Sequence, residues 1–190
     1  EWFDLPLSTV WSIFEDYLFL LHVGYNITIH SFVLMPNHIH LMISCPDANV
    51  SQALLYFLRE SSKEITRLSG RINQTFGARN HKSLITTDHY FLNAYKYVYR
   101  NPIRAGLAKH VEDYEFSTMH GLLGGKKLIV PVAEDALLFS QKFDDRTFEW
   151  LNRAPNLDQE HEVRIALRKA EFCFAKSKDR KPSALETGLL

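Results

Sequence analysis

The fold class is decided by residues 32–44, FVLMPNHIHLMIS, where an apolar segment is interrupted once and then resumes. From residue 26 the chain shows a period of two that passes into the apolar run FVLM, as in a strand that enters a core. Pro36 and Asn37 break this pattern, and residues 38–44 resume it. The stretch therefore predicts two adjacent strands joined by a tight connection.

An amphipathic helix is predicted on each side of these strands. Apolar residues at spacings of three and four predict the first helix over residues 8–23, with Gly24 at the position of a C-terminal cap. The second helix is predicted over residues 51–68 and ends at Gly70, which can adopt the left-handed conformation that caps a helix.

A short strand and a third helix are predicted further along the chain. The strand covers residues 81–87, and Asp88 is suited to be the N-cap of the helix that follows. We expect this helix to stop at Asn101, because Pro102 disfavours helical geometry in the residue before it. The order helix, two strands, helix, strand, helix predicts an α+β fold.

The length of 190 residues allows one well-buried core and leaves little room for a second full domain. We predict one catalytic domain over residues 1–123 and an appendage over residues 124–190, where the composition becomes more polar. The appendage is predicted to contain helices at 132–143 and 159–175 and to end in a loose tail.

Composition indicates a packed globular protein, since 46% of the residues are hydrophobic and 13% are aromatic. The two cysteines, Cys45 and Cys173, have no CxxC spacing, which argues against a disulfide framework and a zinc-thiolate site. The longest apolar run, residues 17–25, is too short to span a bilayer. We therefore expect a soluble protein of the reducing cytoplasm that has no membrane partner.

The net charge of zero hides a basic middle third. Residues 1–58 carry five acidic residues and no Lys or Arg, whereas residues 59–109 carry ten basic residues against three acidic ones. A basic segment of this kind is typical of nucleic-acid binding. Solvated helix faces explain the same charges equally well, because the sequence does not say where they cluster in space.

Two histidines, His38 and His40, flank Ile39 on the second predicted strand. Residues i and i+2 of a strand project to the same face, so the two imidazoles emerge side by side. They form half of a metal site that one more polar ligand would complete, leaving positions open for a phosphate oxygen. A partly exposed or hydrogen-bonded histidine pair without a metal is the alternative.

A nucleophile for phosphoryl chemistry is available on the third predicted helix, which carries Tyr95, Tyr97 and Tyr99. Tyr97 lies four residues before Asn101, so its phenol shares a helix face with an amide. A phenol is a poor nucleophile unless a base or a cation assists its deprotonation, which a metal could do. We interpret Tyr97 as the nucleophile and the other two tyrosines as packing residues.

Residues 32–44 together with residues 97–106, YVYRNPIRAG, closely resemble the two signature blocks of the insertion-sequence and REP-associated tyrosine transposases, which belong to the HUH endonuclease superfamily. The resemblance extends over residues 1–123. It implies that His38 and His40 bind the metal, that Tyr97 becomes joined to a DNA 5′-phosphate, and that Asn101 completes the metal site.

The resemblance also implies a fold and an activity. The expected fold is a ferredoxin-like α+β sandwich with a central antiparallel sheet. The expected activity is that of an enzyme that nicks and rejoins single-stranded DNA through a 5′-phosphotyrosine, with Mg or Mn as cofactor. Its partner would be an imperfect hairpin in single-stranded DNA, and members of the insertion-sequence branch act as a homodimer.

The chain departs from the family pattern in two places. Relatives have a first strand before the segment that corresponds to residue 1, and since a central strand cannot be lost without exposing core, we expect a trimmed start. The block usually rich in Trp, Gln, Gly and Arg reads TFGARNHKSL here, which retains Gly77, Arg79 and Lys82 as phosphate contacts. Seven basic residues of the middle third are predicted to bind the DNA backbone: Arg59, Lys63, Arg67, Arg79, Lys82, Arg100 and Arg104.

Two alternatives remain. The first is a domesticated relative of a transposase that binds nucleic acid without catalysis. The second is a histidine-triad nucleotide hydrolase, which also uses alternating histidines on a strand; Met42 stands where its third histidine would be.

Overall fold

The computed structural model of the chain describes residues 2–73, 75–76, 80–133 and 145–174. The fold is mixed α and β, as predicted. The chain forms two compact units: the first contains Glu1–Ala78 and Glu112–Glu134, and the second contains Arg79–Val111 and Asp135–Leu190. This division groups backbone contacts, so the predicted boundary between a catalytic domain and an appendage at residue 123 stays a prediction.

The first unit contains four main elements in chain order. They are helix α1 (Leu7–Tyr25), strand β1 (Thr28–Leu34), strand β2 (Ile39–Ser44) and helix α2 (Val50–Ser69). The strands pair antiparallel from Thr28 opposite Ser44 to Leu34 opposite Ile39. The Met35 amide donates to the His38 carbonyl at 2.8 Å and closes the hairpin. The two adjacent strands with a tight connection are therefore confirmed, while the ferredoxin-like arrangement stays a prediction.

A later segment of the first unit fastens the end of β1. The Leu34 amide donates to the Phe116 carbonyl at 3.0 Å, and the Tyr114 hydroxyl donates to the Leu34 carbonyl at 2.8 Å. Thr118, in the short helix α4 (Thr118–Leu122), accepts from the Phe32 amide at 3.0 Å through its hydroxyl. These contacts provide hydrogen-bond partners for backbone amides and a carbonyl on the side of β1 that faces away from β2.

Aromatic side chains fill the core of the first unit. Phe14 of α1 is fully buried, and its ring centroid lies 5.7 Å from that of Phe32 in β1 and 5.4 Å from that of Phe57 in α2. Trp11 stacks obliquely on Phe32 with a centroid distance of 5.4 Å. The sheet and both helices thus share one apolar core.

The predicted end of α1 at residue 23 is two residues too early, because the helix continues through Gly24 to Tyr25. Asn26 takes the left-handed conformation there, with φ of 52°, and its amide donates to the Leu21 carbonyl. Asparagine tolerates this conformation almost as well as glycine, so it serves as the cap. At the end of α2, Gly70 has φ of 70° and is the predicted cap.

The second unit is organised around helix α3 (Asp88–Arg104), with helices α5 (Asp145–Asn152) and α6 (Leu157–Ala166) packed on it. The N-cap of α3 is Thr87 and not Asp88, since the Thr87 hydroxyl accepts from the Tyr90 amide at 3.2 Å. Helix α5 was not predicted.

The expected stop of α3 at Asn101 is also wrong, because the helix continues through Pro102 to Arg104. Proline has no N–H, so the carbonyl four residues earlier, that of Val98, loses its helical donor. The side-chain amide of Asn101 donates to this carbonyl at 3.4 Å and to the Tyr97 carbonyl at 2.8 Å. A local side chain therefore replaces the missing backbone hydrogen bond.

The strand predicted over residues 81–87 is a single bridge in the structure. The Leu84 amide donates to the Ala170 carbonyl at 2.9 Å, and the Leu84 carbonyl accepts from the Phe172 amide at 2.8 Å. This extended pairing also explains why the predicted helix over residues 159–175 ends at Ala166. Most of the helix predicted over residues 132–143, and the predicted tail, lie outside the described residues.

No helix in the described part of the chain combines the length and the apolar character needed to cross a membrane.

Candidate functional site

The two histidines of the signature lie on one side of the β1–β2 hairpin. The Nε2 atoms of His38 and His40 are 3.1 Å apart, and their ring planes are nearly perpendicular. Two nitrogen ligands about 2.0–2.1 Å from one metal ion lie roughly 2.8–3.4 Å apart for angles between octahedral and tetrahedral values. The spacing of the imidazole pair therefore fits a shared cation, and it equally fits a direct hydrogen bond between the two rings.

Asn37, at the tip of the hairpin, orients His38. Its side-chain oxygen lies 2.6 Å from His38 Nδ1, and because an amide oxygen only accepts, Nδ1 carries the proton. Nε2 then keeps its lone pair and points towards His40, as a metal-binding imidazole requires. Partial burial of the ring lowers the pKa of His38 below its usual value, which favours the neutral form that binds metals.

The two histidines have no third His, Cys, Asp or Glu ligand beside them in the described part of the chain. Across the described residues, no group of three or more His, Cys, Asp and Glu side chains is arranged to hold a metal ion. The predicted third ligand, Asn101, lies on α3 in the second unit. Its side-chain nitrogen is engaged with backbone carbonyls of its own helix, so its metal-binding atom would be Oδ1.

Among the neighbouring tyrosines at positions 95, 97 and 99 of α3, Tyr97 is the one that is partly buried and not fully buried. Tyr95 and Tyr99 are each 1% exposed and pack edge to face with ring centroids 4.8 Å apart, which confirms that they are packing residues. The Tyr97 hydroxyl instead accepts a hydrogen bond from Arg104 Nη1 at 3.3 Å. The Arg104 guanidinium carbon lies 5.9 Å from the centre of the Tyr97 ring.

A cavity within the second unit opens beside Tyr97. Its α3 wall carries three cations at four-residue spacing, Lys96, Arg100 and Arg104, so that one helix face is basic. Its other wall includes Glu160 of α6, whose Oε1 lies 2.9 Å from Arg104 Nε. The candidate nucleophile therefore lines a partly basic cavity and is not enclosed in the core.

Three of the predicted DNA contacts lie on the exposed face of α2 and pair with acidic neighbours. Arg59 and Lys63 contact Glu60 at 2.7 and 3.0 Å, and Arg67 contacts Glu64 at 2.6 Å. The hydrogen bond from Lys63 lowers the pKa of Glu60. A phosphate would have to compete with these carboxylates, and the role of the three bases in DNA binding stays a prediction.

The remaining predicted DNA contacts differ in their surroundings. Arg100 Nη1 donates to the Leu151 carbonyl at 2.9 Å and also to the carbonyl of Asn152, so it closes the C-terminal end of α5. Lys82 is exposed. Arg79 and Gly77 lie outside the described residues.

Sequence reasoning missed three features of this region. The role of Asn37 has a local signal, since the residue directly precedes His38 in a turn. The contact of Arg104 with Tyr97 also has one, because residues seven apart share a helix face. Glu160 comes from a distant helix, and no pattern near Tyr97 could have indicated it.

Comparison with known proteins gives two sequence matches. A REP-associated tyrosine transposase of Escherichia coli (strain K12) is 27% identical over 92 residues, which cover 48% of this chain and 54% of that protein. A putative REP-associated tyrosine transposase of Haemophilus influenzae is 24% identical over 98 residues, with 46% and 56% covered. The chain thus spans about half the length of the curated relatives it matches. These matches confirm the resemblance to REP-associated tyrosine transposases.

A solved structure of a REP-associated tyrosine transposase bound to a REP hairpin is similar to 79% of this chain and 84% of that chain, with a TM-score of 0.46 and 23% identity. No protein-family model matches the chain.

Proposed function

We propose that this chain cuts and rejoins single-stranded DNA in the manner of a transposase, with Tyr97 as the nucleophile and a divalent metal bound by His38 and His40. The observation that carries the proposal is the pair of imidazole nitrogens 3.1 Å apart on one hairpin, of which that of His38 is oriented by Asn37. The sequence relatives, which carry the name transposase, support the class of reaction.

The residues fit a metal site in their chemistry. His38 and His40 would each supply Nε2, and Asn101 would supply Oδ1. Imidazole and amide ligands do not select one metal, so the proposed choice of Mg or Mn rests on the resemblance. When bound, the ion would polarise the scissile phosphate and stabilise the negative charge that develops on it.

In the proposed step, the phenol oxygen of Tyr97 attacks the phosphorus in line with the leaving 3′-oxygen. The new O–P bond forms as the P–O3′ bond breaks, the phenol gives up its proton, and the 3′-oxygen gains one from solvent. The product is a 5′-phosphotyrosine with a free 3′-hydroxyl. The reverse attack by a 3′-hydroxyl needs no ATP, because a phosphodiester replaces a phosphodiester.

The proposed partner is a single-stranded DNA hairpin. Basic residues of α2 and α3 would hold its backbone, and binding of this kind weakens steeply with salt. The reaction uses imidazoles of the first unit and a phenol of the second, so the proposal requires both units to reach the same phosphodiester.

The first test is formation of a covalent adduct. The purified chain is incubated with single-stranded hairpin DNA and Mn or Mg, and the products are separated on a denaturing gel. We expect an adduct that Tyr97→Phe abolishes without loss of DNA binding. Tyr90→Phe, a hydroxyl deletion on the same helix, should keep the adduct. An undiminished adduct in Tyr97→Phe would place the nucleophile elsewhere.

The second test concerns the metal. Calorimetric titration with Mn should show one site that His38→Ala or His40→Ala weakens strongly, because each variant removes one of two paired ligands. His30→Ala is the matched control, since His30 lies on the same hairpin but hydrogen-bonds to Ser44. Metal-independent DNA binding without any adduct would instead indicate a catalytically silent nucleic-acid-binding protein.

A further inference from the structure

Arg104 links the candidate nucleophile to the C-terminal helix α6. Its Nη1 donates to the Tyr97 hydroxyl at 3.3 Å, and its Nε pairs with Glu160 Oε1 at 2.9 Å. Its guanidinium carbon lies 5.9 Å from the Tyr97 ring centre. One planar cation therefore contacts both a carboxylate and the oxygen that would attack DNA.

The local structure holds this arrangement in place. Glu160 lies in the first turn of α6, and a capping box fixes the start of that helix: Asn156 accepts from the Asp158 amide at 2.9 Å, and Gln159 accepts from the Asn156 amide at 3.2 Å. Tyr97 packs against a small apolar cluster that contains Val163 and Ala166 of α6 and also Phe172. Helix α6 thus positions both the carboxylate and one side of the phenol ring.

We infer that Arg104 is a catalytic residue of this reaction, that its guanidinium stabilises the negative charge on the Tyr97 oxygen as the phenol proton leaves, and that Glu160 is its positioning residue. This inference rests on the proposed function. The guanidinium stays protonated throughout, so it is not the base, and the phenol proton passes to solvent. A cation in hydrogen-bond contact favours the charged form of an acidic group.

A contact of Arg104 with the DNA backbone is a different role, and the two roles have different measurable effects. A guanidinium has five N–H donors, and contacts with Tyr97 and Glu160 use two of its nitrogens. The Arg104 side chain is 38% exposed, so it remains accessible to DNA as well. A residue that only binds DNA would change the affinity for DNA, whereas a residue that acts on Tyr97 changes the rate of reaction of the bound complex.

The test measures adduct formation in single turnover at pH 7, with the full chain in excess over single-stranded hairpin DNA and with Mn, and it measures DNA affinity separately. We expect Arg104→Met to slow the reaction of the bound complex about tenfold. Arg104→Lys, which keeps the charge, should recover part of the rate. Arg164→Met on the exposed face of α6 is the matched control and should match the wild type.

The carboxylate is tested in the same assay. Glu160→Ala should slow the reaction less than Arg104→Met, because the guanidinium is still present but no longer held. The control Glu162→Ala, on the exposed face of α6, should leave the rate unchanged. Circular dichroism establishes that each variant is folded.

The outcomes separate the two proposals. A wild-type chain that forms no adduct overturns the proposed function, and this inference with it. A normal adduct whose rate of formation is unchanged in both Arg104→Met and Arg104→Lys overturns the inference alone. Loss of DNA affinity with an unchanged rate in the bound complex assigns Arg104 to the DNA backbone and also overturns the inference.

Discussion

The contacts that stabilise the first unit internally differ from those within the second unit. In the first unit, the ring of Phe14 has four phenylalanine neighbours with centroids within 6.4 Å, namely Phe3, Phe32, Phe57 and Phe76. In the second unit, α3 and α5 bury Tyr95, Tyr99, Trp150 and Leu151, and a smaller apolar cluster around α6 contains Val163, Ala166 and Phe172.

Polar contacts of three residues add to this apolar packing in the second unit. Arg100 closes the end of α5, the Val111 amide donates to the Asn152 side chain at 2.9 Å, and the Lys96 ammonium lies 5.2 Å from the centre of the Trp150 ring. The histidine pair therefore lies on a hairpin backed by an aromatic core, whereas Tyr97 lies on a helix that is held by buried apolar side chains and also by contacts of its cations. Substitution of a cation on α3 should affect both stability and activity.

The largest expected effect is that of Phe14→Ala. The side chain is fully buried, so its removal leaves a cavity and should lower the free energy of unfolding by about 3–5 kcal/mol. Urea denaturation followed by circular dichroism measures this change. Leu55→Ala, at a position 66% exposed on α2, is the control and should change stability by less than about 0.5 kcal/mol. Equal effects would contradict a shared aromatic core.

A second effect should separate the two units. Arg100→Met keeps most of the aliphatic volume but leaves the Leu151 and Asn152 carbonyls without their donor, so we expect a loss of about 1–3 kcal/mol in the free energy of unfolding. Chemical denaturation measures it, with Arg168→Met at an exposed position as control. Unchanged stability together with weaker DNA binding would show that Arg100 acts as the predicted DNA contact and not as an anchor.

This contrast also explains how much could be predicted from sequence. Helices α1 and α2 and both strands have apolar residues at regular spacing, and their predicted positions differ from the structure by only a few residues. The signal is local because one face of each element meets the same core. The side-by-side placement of His38 and His40 follows from the same period.

The second unit was harder to predict because its determinants are not periodic. The continuation of α3 through Pro102 depends on a side-chain hydrogen bond from Asn101. The pairing of Leu84 with residues 170–172 joins segments far apart in sequence, and no local pattern indicates it. The same applies to Glu160, which reaches Tyr97 through Arg104. Sequence alone therefore identified the candidate chemical groups, and the structure supplied the residues around them.

Tyr114→Phe tests how β1 is fastened just before the histidine turn. The hydroxyl donates to the Leu34 carbonyl, so its removal should cost about 1 kcal/mol at neutral pH. Burial raises the pKa of Tyr114 to about 12. The folded state thus favours the neutral phenol, and the stability it contributes is lost as pH rises from the unfolded value near 10 through about 12.

Denaturation midpoints of wild type and variant between pH 7 and 12 check this prediction. The difference between them should shrink above pH 10, because only the wild type must protect this phenol from ionisation. A constant difference over the whole range would contradict the raised pKa that burial gives this phenol, and equal stability at pH 7 would contradict the hydrogen bond to Leu34.

The smallest expected effect concerns a charge inside the apolar unit. Glu15 of α1 is 4% exposed, and its Oε1 accepts from the Ile129 amide at 3.5 Å. Burial raises the pKa of Glu15, which means that its carboxylate is less stable in the folded protein than in the unfolded chain. Glu15→Gln keeps an acceptor for Ile129 and removes the charge, so it should raise the denaturation midpoint slightly at pH 7.

The sign of the pH dependence distinguishes this cause from a change in packing. With a raised pKa, the contribution of Glu15 to stability is fully present below its unfolded value near 4.5 and is lost as pH rises through its folded value. The advantage of Glu15→Gln should therefore disappear in acid and level off near neutral pH. Asp16→Asn, at the exposed neighbouring position, is the control. Below pH 4 the Glu15 side chain is a neutral carboxyl, so it and the amide of Glu15→Gln differ only in packing. A higher stability of Glu15→Gln that persists there would therefore contradict a penalty from the buried charge.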